Sequence, residues 1–119
     1  MIRPVLSPEK LSPEVAAYMA GYHQQTVNEV ASAVATNKIV VVGMGMNPFV
    51  KKARAALSEA NVDFKYREYG NYFSLWKPRL AIKLWSGWPT FPQIFVDGKL
   101  IGGYKEAVAA LKAGTITRG

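Results

Sequence analysis

Trp88-Pro89-Thr90-Phe91-Pro92-Gln93-Ile94-Phe95-Val96-Asp97-Gly98-Lys99-Leu100-Ile101-Gly102-Gly103 is the most informative stretch of this 119-residue chain. Two short apolar runs, Gln93–Val96 and Lys99–Ile101, flank Asp97-Gly98. That pattern predicts a tight β-hairpin, because Asp and Gly tolerate the positive φ values of a type I′ turn. Pro92 stands at the start of the first strand, where its missing N–H is tolerable. Gly102-Gly103 ends the hairpin. Lys105 to Lys112 reads as a closing helix, with Ala107, Val108 and Leu111 apolar and Gly114 as its C-terminal stop. The tail from Thr115 is expected to be loose.

Working back from the hairpin, Ser86-Gly87-Trp88-Pro89 is a turn. Tyr72 to Trp85 carries Phe73, Trp76, Leu80, Leu84 and Trp85 at helical spacing, although Pro78 limits where that helix can begin. Gly70-Asn71 breaks the chain. Val62 to Glu68 alternates, with Val62, Phe64 and Tyr66 on one side and Asp63, Lys65 and Arg67 on the other, a half-buried strand. Before it, Asn47-Pro48 opens a helix with Asn as N-cap and Pro as the first helical residue. Val50, Ala53, Leu57 and Ala60 form that helix's apolar face, and Asn61 ends it. Ile39-Val40-Val41-Val42 is a β-branched run that reads as a strand buried on both faces.

The first 37 residues differ in texture. Ser7-Pro8-Glu9 and Ser12-Pro13-Glu14 are paired helix-start signals. Val15, Met19, Tyr22, Thr26, Val30 and Ala33 or Val34 then trace one apolar stripe to about Ala35, with two shorter helices as the alternative because Gly21 weakens the middle. Asn37 is the stop. The predicted order is helix, β-α-β, helix, β-hairpin, helix, a three-layer α/β arrangement. Residues 1–37 form an N-terminal helical extension, 38–114 the domain and 115–119 a tail.

Composition narrows the function. Half the residues are apolar and 15 Lys and Arg stand against 8 Asp and Glu, a net charge of +7. The basic excess lies in residues 38–119, where 13 basic and 5 acidic residues sum to +8, while residues 1–37 sum to −1. Such a surface attracts anions. No apolar run reaches the length of a membrane span, so no membrane partner is expected. The start lacks a secretory pattern, and the cytoplasm is the expected location. The chain has no cysteine. That excludes disulfides, thiolate metal sites and a cysteine nucleophile.

The strand running into Asn47-Pro48-Phe49-Val50, the Trp88 to Gly98 stretch and Leu100-Ile101-Gly102-Gly103 together resemble the glutaredoxin family, within the thioredoxin-like fold, over roughly Lys38 to Gly114. They are most similar to its monothiol branch. The resemblance implies a mixed four-stranded sheet and a cis Phe91–Pro92 peptide bond. It also implies that Asn47 stands where the family has its reactive cysteine, and Val50 where a second would be. Thiol–disulfide exchange needs a thiolate, which a helix N-terminus favours by lowering the thiol pKa. An amide has no such anion, so the covalent pathway is lost. The iron–sulfur cluster of monothiol relatives, which takes a protein thiolate, is not expected for the same reason.

The resemblance implies a glutathione groove formed by Asn47, Phe49, Arg79, Lys83, Phe91, Pro92, Gly102 and Gly103. Phe91 and Pro92 would offer a backbone edge, Phe49 a wall, Arg79 and Lys83 positive charge, and the glycines close backbone approach. Two positions depart from the family pattern: Met44 replaces a lysine, and Lys105 replaces an acidic residue that holds the ligand's amine. The leading expectation is a non-catalytic glutaredoxin-like domain that binds a partner protein or a small glutathione-like ligand. The alternatives are a thiol–disulfide oxidoreductase by family membership and a basic nucleic-acid module. The last rests on Tyr66, Tyr69, Tyr72, Phe73, Trp76, Trp85 and Trp88 interleaved with Lys65, Arg67, Lys77, Arg79 and Lys83. Met44 and Met46 as a copper(I) pair, and His23 as a metal ligand, are weaker readings than core packing and a helix-surface position.

Overall fold

The computed structural model describes residues 4–116. A 3-10 turn at Pro8–Lys10 leads into α1 (Pro13–Gly21) and α2 (Gln24–Thr36). The rest runs β1 (Ile39–Gly43), α3 (Pro48–Glu59), β2 (Lys65–Glu68), α4 (Trp76–Ser86), β3 (Gln93–Val96), β4 (Lys99–Gly102) and α5 (Tyr104–Ala113). The strands form one mixed sheet in the order β2-β1-β3-β4. β1 pairs with β2 in parallel, Val41 opposite Tyr66, and with β3 antiparallel, Val41 opposite Ile94. The parallel pair is joined through α3, the crossover such pairs require.

Every residue of β1 and β3 is buried, as the unbroken apolar runs predict. Alternate side chains serve two cores. Val40, Val42 and Phe95 join Val30 of α2 and Ile82 of α4 on one face of the sheet. Ile39, Val41, Ile94 and Val96 join Ala53 and Leu57 of α3 and Ala107 of α5 on the other. The hairpin turn has Asp97 at φ 51° and Gly98 at φ 81°, both in the left-handed region its sequence calls for.

The structure departs from the sequence expectations at several places. The N-terminal region takes the two-helix alternative: α1 ends at Gly21, and Tyr22 and His23, the latter in the left-handed region at φ 45°, separate it from α2. α1 buries none of its residues, whereas α2 buries Val30 and Ala33 and so is built into the domain rather than appended to it. Ser12 caps α1, its Oγ accepting from Val15 N at 3.2 Å, while Ser7 makes no such cap. The second strand is shorter than the alternation suggested and begins at Lys65.

The helix expected from Tyr72 begins only at Trp76, after Leu75 in the left-handed region. Its inner face is Arg79, Ala81 and Ile82. Phe73, Trp76 and Leu84 are exposed, and Trp85 is partly covered by stacking on Phe95. The tail is not loose at its start. Ile116 is 3% exposed in the core beside α3, held by Thr115 N donating to Ala110 O at 2.9 Å. The remainder of the expected tail, 117–119, lies outside the described residues.

Candidate functional site

The site lies where α3 begins. Asn47 Oδ1 accepts from Phe49 N at 2.9 Å and from Val50 N at 3.2 Å. These are two of the donors a helix start leaves unpaired, so the side chain is a working N-cap. The same amide reaches across the molecule, and its Nδ2 donates to Phe91 O at 3.5 Å. This long bond ties the start of α3 to the turn before β3, where the Phe91–Pro92 peptide is cis.

Gly103 closes the third side. A Cβ built there would stand 3.3 Å from Pro92 O and 3.7 Å from Trp88 Nε1. Its N–H donates to Glu106 Oε1 at 2.8 Å, which caps α5. Gly102 has an internal reason to be glycine. Its φ is +127°, and a Cβ would meet Glu106 Cγ at 2.5 Å. Phe49 is 53% exposed, its ring 6.3 Å from that of Tyr104 and 5.5 Å from Lys52 Nζ. Lys83 places its Nζ 5.6 Å from the centre of the buried Phe91 ring.

The fold therefore gathers Asn47, Phe49, Lys83, Phe91, Pro92 and Gly103 around one corner. Arg79 has a different task from the one expected. It is 7% exposed, and its Nη1 donates to Tyr69 O at 3.1 Å and to Ser74 O. Burial lowers its guanidinium from its ordinary value, yet arginine stays charged. It organises the loop before α4. Met44 is packed in the core and Met46 is exposed, so the two thioethers do not share one environment. His23 is exposed and meets Tyr22 edge-on at 4.8 Å. Among the described residues no three His, Asp or Glu side chains come together.

Sequence reasoning missed Tyr104, Lys52, Glu106 and Trp88 as neighbours of this corner. Glu106 was detectable, because an acidic residue three positions after a helix start is a capping signal. Trp88 carries a buried Nε1 with no partner, as does Gln93 Oε1. Gln93 Nε2 is engaged with Trp88 O at 3.1 Å. A groove of about 1130 Å³ adjoins the corner through Lys83 and Pro89, and runs between Tyr18 and Met19 of α1 and Leu84 and Trp85 of α4.

The corner carries a neutral amide at the head of α3, with Lys52 beside Phe49 and Lys83 beside Phe91. Its helix-start donors meet an amide oxygen rather than a thiolate. An iron–sulfur cluster does not fit these residues. Its iron takes thiolate from the protein, and the chain offers Asn47 and no cysteine.

The Glutaredoxin family model matches residues 39–101, from β1 through the hairpin. A glutaredoxin-like protein of Dictyostelium discoideum is 46% identical over 107 residues, covering 90% of this chain and 87% of that protein. Monothiol glutaredoxin-S17 of Arabidopsis thaliana is 37% identical over 70 residues, which are 57% of this chain but 13% of that longer protein. Among solved structures, oxidized glutaredoxin 2 from Chlamydomonas reinhardtii superimposes with a TM-score of 0.66 at 29% identity, covering 78% of this chain and 88% of that one. A mutated buckwheat glutaredoxin gives 0.69 at 18% identity, covering 79% and 86%, and supports the fold alone. With the sheet order, the Pro92 turn and the matched residues in agreement, the chain belongs to the glutaredoxin family, and it does so without a cysteine.

Proposed function

We propose that this domain binds without reacting: it holds a small glutathione-like ligand, or a segment of a partner protein, at the corner formed by Asn47, Phe91 and Gly103. The observation that carries the reading is Asn47, whose amide caps α3 and reaches Phe91 O. A thiol at this place would be activated by the helix start. An amide there is spent on the fold and offers neither nucleophile nor redox couple. The cations Lys52 and Lys83, beside the Phe49 and Phe91 rings, favour an anionic peptide as the ligand. Met44 in the core and Lys105 exposed on α5 mean that a glutathione-like molecule would be held differently from the family pattern.

Two measurements on one sample test this. Glutathione-dependent reduction of a small mixed disulfide should stay at background. Titration with glutathione should move the amide resonances of Phe49, Phe91 and Gly103. A robust reduction rate defeats the whole reading. Silence at millimolar glutathione removes the small ligand and leaves the partner segment. Cytoplasmic placement belongs to the same proposal, and fluorescence from a tagged full-length chain would show it.

A further inference from the structure

The turn between β2 and α4 is hydrogen-bonded along its backbone and apolar in its side chains. Asn71 Oδ1 accepts from Phe73 N at 2.8 Å, and Asn71 N donates to Ser74 Oγ at 3.3 Å. Gly45 N donates to Gly70 O at 2.7 Å, and Arg79 holds the carbonyls of Tyr69 and Ser74. Much of the turn's backbone polarity is thus met within the protein. The side chains it carries stand outside. Phe73 is 86% exposed and Trp76 60%, with Tyr72 and Leu75 also more than half exposed. Four large apolar residues exposed within five positions, from the turn into the start of α4, form an apolar patch of the kind that marks an interaction surface.

Charge indicates what covers it. Residues 69–86 contain no Asp or Glu, and apart from the buried Arg79 they carry Lys77 and Lys83. Lys77 Nζ lies 5.6 Å from the Trp76 ring. The neighbouring carboxylate, Glu68, accepts from Tyr66 OH at 2.8 Å. A second copy of this chain is a poor occupant, since each copy carries +7. The occupant is anionic and accepts protruding rings. Trp and Tyr beside Lys is the composition that settles at the headgroup level of a bilayer. Internal pairing of several backbone groups of the turn lowers the cost of taking them out of water.

We propose that Tyr72, Phe73, Leu75 and Trp76, with Lys77 beside them, dock this domain reversibly on an anionic lipid bilayer. No membrane-spanning helix is needed for docking of this kind, and none exists among the described residues. The expectation of no membrane partner rested on the absence of an apolar run long enough to span a bilayer, and docking at the surface needs no such run.

The test uses the full chain with phosphatidylcholine vesicles, with and without phosphatidylglycerol. The chain should sediment with the anionic vesicles, less so as salt rises, and its tryptophan emission should shift to the blue. Phe73→Ser and Trp76→Ser should each weaken partitioning at least about tenfold, the worth of one buried ring. Trp76→Phe should keep the binding and lose the blue shift. Far-UV circular dichroism confirms that each variant is folded. No sedimentation, equal sedimentation by the serine variants, or a blue shift that persists in Trp76→Phe each overturns the proposal. Equal sedimentation would reduce the effect to bulk charge.

Discussion

α3 and α4 lie on opposite faces of the same sheet, and they spend their apolar residues in opposite ways. α3 turns Val50, Ala53 and Leu57 inward and leaves Lys51, Lys52 and Arg54 in water. α4 turns Arg79, Ala81 and Ile82 inward and leaves Trp76 and Leu84 in water. Both helices satisfy the sheet. In α4 a buried arginine takes a core position because the loop carbonyls of Tyr69 and Ser74 need a donor. The larger residues Trp76 and Leu84 stay exposed. Burial on the α3 side maintains the fold, whereas the exposed apolar residues of α4 do not contribute to its core.

The sharpest way to break this comparison is to remove a leucine from each helix. Leu57→Ala, at a fully buried position, should cost about 2–5 kcal/mol in chemical denaturation. Leu84→Ala, 64% exposed, should stay within about 0.5 kcal/mol. Equal losses would mean that α4's outer face is covered within the domain. Next in size is Arg79→Ala, which leaves two loop carbonyls short of a donor and should cost about 1–3 kcal/mol, read by the same melts. Asn47→Ala should cost about 1 kcal/mol through loss of the cap. Asn47→Asp keeps the cap and suits the positive helix end, but it removes the donor to Phe91 O and sets a carboxylate against that carbonyl, so it should regain only part of the parent's stability. The smallest effect is expected where the Glu29 carboxylate meets Arg67 at 3.3 Å and Tyr69 OH at 3.1 Å. This cluster is partly exposed, and Glu29→Gln should cost no more than about 1 kcal/mol.

The comparison also explains what could be read from the residues alone. β1, β3 and the Asp97-Gly98 turn declare themselves, because burial on both faces and positive φ each demand particular residue types. Asn47 could be read as a cap for the same local reason, and so could the α3 face. The α4 face could not. Helical periodicity shows that a stripe exists, not which neighbour covers it, and Phe73 and Trp76 fit an inward or an outward face equally well. α1 misled in the same way, since its apolar residues continue the pattern of α2 without following it into the core. The site was partly visible. Phe91, Pro92 and Gly103 follow from the motif. Tyr104, Lys52 and Trp88 sit close to motif residues in the chain, but that their side chains face the corner shows only in the folded contacts, Tyr104 against Phe49 and Trp88 beside Gly103. Arg79 was misassigned because a cation on a helix near a motif looks like a ligand group until its carbonyl partners are seen.

The central claim is that Asn47 leaves this glutaredoxin-family domain its shape and no thiol chemistry. The most direct measurement is glutathione-dependent reduction of a small mixed disulfide by the purified chain, run beside Asn47→Cys. The account predicts background rates for the chain as it stands and a measurable rate once a thiol occupies the start of α3. A robust rate from the unaltered chain would contradict it.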